Sequence, residues 1–165
     1  MQIQDPHWHL LVNHFPIVLS MAATCMLLLA LMRRQQKFAQ TSLLVMVAAG
    51  LSGILANSTG EGAEEAVENL PGFSGSLIHQ HEDAAYIGMI VLMIAGGLAL
   101  LAWLWLQRAK GYRLLPIAIV TIAAIAASGG MMRTGYSGGQ IRHSEIRKND
   151  PTVQQPVRVG TEDDD

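Results

Sequence analysis

The chain has little cysteine and little charge. Cys25 is the only cysteine in 165 residues, which excludes an internal disulfide, a CxxC redox pair and a thiolate zinc cluster. Charged residues make up 15% of the chain, against roughly 25% in soluble domains. No nucleophile beside a base, no phosphate loop and no nucleic-acid patch is recognisable. The N-terminal stretch before His9 lacks the basic region of a cleavable signal, and the apolar run after it is too long for one. That run is therefore expected to stay in place as a span, with Cys25 packed in its core or against lipid.

Hydrophobic sequence is what the chain has in quantity: half of all residues, with mean hydropathy +0.29. It falls into four runs, about 10–32, 41–57, 84–106 and 114–132, each able to cross a hydrocarbon core of about 30 Å. This predicts an all-α fold, an integral membrane four-helix antiparallel bundle forming one domain over 1–148. A disordered polar tail over 149–165, ending in three aspartates, is expected to follow. Asp5-Pro6 suits an N-cap and first helical position. Pro16 leaves the carbonyl of Val12 without its helical donor, so a kink is expected near His14. Small residues in the second span (Ala49, Gly50, Gly53, Ala56) and glycines in the third allow close helix approach or leave room for a flat cofactor. Thr134 to Gly139 reads as a turn and Gln140 to Lys148 as a short amphipathic helix.

Acidic residues are missing from two connectors, which instead carry Arg33, Arg34 and Lys37, and Arg108, Lys110 and Arg113. Basic residues are missing from a third, Thr59 to Asp83. All 13 acidic residues lie at the opposite pole from the basic loops. The positive-inside rule then puts the basic loops in the cytoplasm and both termini outside. A bacterial inner (cytoplasmic) membrane location follows as an expectation.

The outer pole also collects every histidine: His7, His9, His14, His79, His81 and His143. An ionisable group within a span is by default a functional hypothesis, and His14 lies about 12 Å inside the first helix. It is expected either to ligate a cofactor or to bond at the Pro16 kink. His79 and His81 point to different helix faces; His81, sharing a face with Ala84, Ala85 and Gly88, is the expected ligand, and His79 a surface group. His7 and His9 are expected at the solvated interface. His143 is carried back towards the pole by the glycine turn. Glu61, Glu64 and Glu65 are either a solvated first helical turn or oxygen ligands to iron, manganese or zinc. Arg133, Tyr136 and Arg142 suit the propionates of a haem.

His14-Phe15-Pro16-Ile17, Thr59-Gly60-Glu61-Gly62-Ala63-Glu64-Glu65, His81 and Gly135 to Gly139 followed by His143 together resemble a bacterial four-helix membrane family, domain of unknown function 2231. The resemblance covers residues 7 to 147. It implies His14, His81 and His143 as ligands, and kinship with b-type cytochromes, without supplying a reaction.

Three functions are expected on this basis. One is a membrane redox protein with haem b on His14 and His81, Arg133, Arg142 and His143 nearby, exchanging electrons with a quinol or a periplasmic protein. Another is a non-haem transition-metal site built from His14, His81, His143, Glu61, Glu64 and Glu65. The last is a structural subunit of a larger membrane complex.

Overall fold

A computed structural model describes residues 5–67 and 74–147. The expected tail over 149–165 lies outside the described residues. The described residues are all helical apart from short connections: α1 (Asp5–Val12), α2 (His14–Arg33), α3 (Gln36–Ser58), α4 (Gly60–Val67), α5 (Gly75–Arg108) and α6 (Leu114–Arg142), then a 3₁₀ turn (Ser144–Ile146). Four stretches are long and apolar enough to cross a membrane: His7–Arg33, Gln36–Ala66, Gly75–Arg108 and Leu114–Arg142.

The outer surface of these helices agrees with that length. Leu51, Leu101, Leu115 and Ile122 are each more than 60% exposed, and water would penalise such a continuous apolar belt. Cys25 is exposed on the same surface. Inside, Leu27, Leu43, Met46, Leu92, Leu106 and Ile117 are fully buried among alanines. α5 packs on α3 and α6, and α2 packs on the same two neighbours.

Glycine decides how close these helices come. A Cβ on Gly96 would stand 3.3 Å from the Cα of Gly50, and one on Gly130 3.1 Å from the Cα of Gly88. The small residues of α3 and α5 thus bring backbones into contact, and the space a flat cofactor would need there is filled by a neighbouring helix. Hydroxyls within the helices bond locally or across helices: Ser42 and Thr121 donate to carbonyls one turn back, and Thr24 Oγ1 and Ser128 Oγ are 2.9 Å apart between α2 and α6.

The first apolar run is broken at Asn13, between α1 and α2. Pro16 accounts for it, because its nitrogen has no hydrogen for Val12. The link from α2 to α3 is two residues long and turns through Arg34 at φ 52°. Gln36 Nε2 donates to the carbonyls of Leu106 (2.8 Å) and Ala109 (3.3 Å), tying the start of α3 to the end of α5.

Two stretches differ from expectation at the histidine pole. α5 begins at Gly75, so His79, His81 and Glu82 sit on a helix already formed before the apolar span. α6 continues through Thr134 to Gly139, which is helix rather than turn, and ends at Arg142. Tertiary contact overrides the local glycine preference: Thr134 Oγ1 donates to Ala84 O at 3.0 Å, and Gly135 faces Ile17 Cδ1. In place of an amphipathic helix from Gln140, a 3₁₀ turn follows, and Arg147 folds back to donate to the carbonyls of Gln140 (2.7 Å) and Ile141 (2.8 Å).

Candidate functional site

His81 is half-buried between α5 and α6. Its Nδ1 lies 3.1 Å from the carbonyl of Thr134 and 3.2 Å from Ser137 Oγ. A carbonyl only accepts, so Nδ1 carries the proton and the Nε2 lone pair is left available. The ring lies over Gly138, where a Cβ would come within 3.0 Å of Cε1. Glycine at that position is what admits the imidazole.

His9 is also half-buried, which corrects the expectation of a solvated interfacial group. α4 folds back against α1 and encloses it. His9 Nδ1 is 3.2 Å from Thr59 Oγ1, and that hydroxyl donates its own proton to Ala56 O at 2.9 Å. One signal for His9 was present in the sequence: His9, Asn13, Pro16 and Ser20 recur at helical spacing, and all four turn from solvent.

On the outer side of α5, His79 Nδ1 lies 3.0 Å from Glu82 Oε2. Glu82 also shares a side-chain hydrogen bond with Glu64 of α4. Two carboxyl groups can share such a bond only with a proton between them, and a bound cation can take that proton's place. Glu64, His79 and Glu82 present ligand atoms that all lie within 4.8 Å of one another. Glu64 is half-buried and the other two are exposed. Two carboxylate oxygens and an imidazole nitrogen suit zinc, manganese or iron.

The structure separates the other predicted residues. His14 is exposed beside Phe15 and Val18, and makes no hydrogen bond among the described residues. Helical phase runs on through Asn13, whose backbone stays αR and whose N–H donates to His9 O, so Pro16 and Ser20, not His14, face the core. His143 is exposed beyond the end of α6 and pairs with Glu145 at 2.9 Å. Glu145's own backbone N–H and the His143 imidazole hold its carboxyl below the usual range. Arg133, Tyr136 and Arg142 are exposed. Glu61 and Glu65 line a cavity of about 340 Å³ with Trp8, Ser58, Thr59 and Gly62 and do not join that cluster. Of the predicted ligands, Glu64 joins the outer cluster and His81 the inner face. His79 and Glu82, which were not predicted as ligands, complete that cluster.

Residues 7–146 match the family described as predicted membrane protein DUF2231. The chain belongs to that family. No curated protein and no solved structure matches it.

Proposed function

We propose that this is a metal-binding membrane protein, holding a divalent transition-metal ion on Glu64, His79 and Glu82 at the extracytoplasmic mouth of a four-helix bundle. The observation that carries this reading is the convergence of three ligand atoms from two helices within 4.8 Å. Their two carboxylates supply negative charge where the facing connector has no Lys or Arg to neutralise it. Both termini would lie outside, because the α2–α3 and α5–α6 connections carry the basic residues. Exposure of His79 and Glu82 leaves coordination positions open to water, which fits reversible handling of an ion better than a closed structural site.

Haem b on His14 and His81, with electron transfer to a quinol or periplasmic partner, has less support. His14 is exposed, and Gly50 and Gly96, on the faces that would form a slot, meet each other backbone to backbone.

Metal content and absorption of the full chain, purified in detergent, test the reading together. A colourless protein with about one bound zinc or manganese ion, lost in both Glu64→Gln and Glu82→Gln, is expected. A Soret band that disappears in His81→Ala would overturn it in favour of haem.

A further inference from the structure

We propose that a groove between α5 and α6 at the basic pole holds one anionic phospholipid, with an acyl chain in the groove and the phosphate on the α5–α6 loop. The groove measures about 250 Å³, and Leu101, Ala102, Trp105, Pro116, Ile119 and Val120 line it. Ala102 and Val120 are almost fully buried, whereas Leu101, Trp105 and Ile119 are exposed. The buried pair forms the floor and the exposed three the rim, so the space opens towards lipid.

Connectivity puts charge at the end of this groove. Trp105 stands one turn before Arg108, and Pro116 three residues after Arg113. The loop that joins the two helices carries Lys110 and Arg113 and no carboxylate. Both side chains are exposed, and neither makes a hydrogen bond or ion pair among the described residues. Arg33 and Arg108 are already engaged: one stacks over Phe38 at 5.6 Å and the other donates to Leu104 O at 3.5 Å. Gln36 fastens the second basic loop alongside through the carbonyls of Leu106 and Ala109, which adds Arg34 and Lys37 to the same field. A basic pocket between membrane helices is a recurring seat for anionic headgroups, each Lys or Arg strengthening the attraction about fivefold. Trp105 on the rim suits the headgroup level. Phosphatidylcholine carries its own cation and gains little from this field, whereas phosphatidylglycerol presents net negative charge. The groove lies at the other end of α5 from His79 and Glu82, so it does not depend on the metal reading.

Native mass spectrometry of the full chain in detergent, supplied with phosphatidylglycerol or phosphatidylcholine of the same acyl chains, tests this. Wild type is expected to retain one phosphatidylglycerol in preference to phosphatidylcholine. K110Q/R113Q should weaken phosphatidylglycerol retention about twentyfold, from two charges at about fivefold each, and leave phosphatidylcholine unchanged. Ala102→Phe keeps every charge but fills the groove, and should weaken retention of phosphatidylglycerol as well. Arg142→Gln removes a charge at the opposite pole and should change neither lipid. Should Ala102→Phe fail to fold, Ile119→Ser, at the exposed rim, decides in its place by the same loss. Equal retention of both lipids by the wild type, or a preference that survives in K110Q/R113Q, would overturn the site. So would a dimer that forms with either lipid and dissociates in Ala102→Phe, which assigns the groove to a second copy of the chain.

Discussion

Glycine serves opposite purposes in the middle of this protein and at its histidine pole. In the middle, Gly50 meets Gly96 and Gly88 meets Gly130, backbone against backbone. At the pole, Gly138 leaves the volume of a missing side chain to the His81 imidazole, and Gly60 lies beside His9. A run of small residues in a membrane helix therefore does not by itself announce a cofactor slot. What fills the space is decided by the partner helix: another glycine closes it, whereas a histidine turns it into a seat for a functional group.

The largest test of that contrast is Gly130→Val. Its Cβ would stand 3.1 Å from the Cα of Gly88, an atom that cannot rotate away. Overpacking of this kind costs about 1–3 kcal/mol, so a clear drop in the melting temperature in detergent is expected. Unchanged melting would show that α5 and α6 can separate freely.

Gly138→Ala should cost less, about 1 kcal/mol, because the opposing group is a ring rather than backbone. Its signature is local: loss of the protected His81 Nδ1–H resonance, with α5 and α6 still packed. Smaller again is Thr24→Ala. The Thr24–Ser128 hydrogen bond joins α2 to α6, and such interhelical bonds in membranes average about 0.6 kcal/mol. A double-mutant cycle with Ser128→Ala would measure it, and zero coupling would remove that bond from the account.

Gly97→Ala and Gly129→Ala complete the series as controls. Neither position has any atom within 4 Å of an added Cβ, so both should change stability by less than about 0.5 kcal/mol. A loss as large as that of Gly130→Val would break the distinction between contact and non-contact glycines.

The smallest expected effect lies at the exposed end of α6. His143 helps to depress the Glu145 carboxyl, so His143→Ala should raise the Glu145 titration midpoint seen by nuclear magnetic resonance. A depressed carboxyl favours the fold above its unfolded value, and the benefit is lost as pH falls through the folded one. For so exposed a pair, no change in melting is expected with it.

Four apolar stretches, the basic loops and the gathering of histidines beyond one end of the helices are legible from composition along the line, because hydropathy and charge need no partner to be read. The outward glance of His14 is not. Each helical residue turns the chain by about 100°, so His9 and His14, five residues apart, face different ways, and only the neighbouring helices decide which of the two is inward. The helicity of Thr134 to Gly139 was hidden for a related reason. Its three glycines carry a local turn signal, and only Ala84, Ile17 and His81 packed against it make the helix the better state.

The amino-acid order by itself determined a membrane protein of four apolar helices with its histidines and carboxylates drawn from neighbouring segments, since burial in lipid selects for run length and hydrophobicity one segment at a time. Which of those groups meet was decided only by the fold. Glu64 reaches His79 and Glu82, while Glu61 and Glu65 line a separate cavity beside Trp8. That choice depends on helix phase and on the docking of α4 between its neighbours, and both are set by contacts distant along the chain.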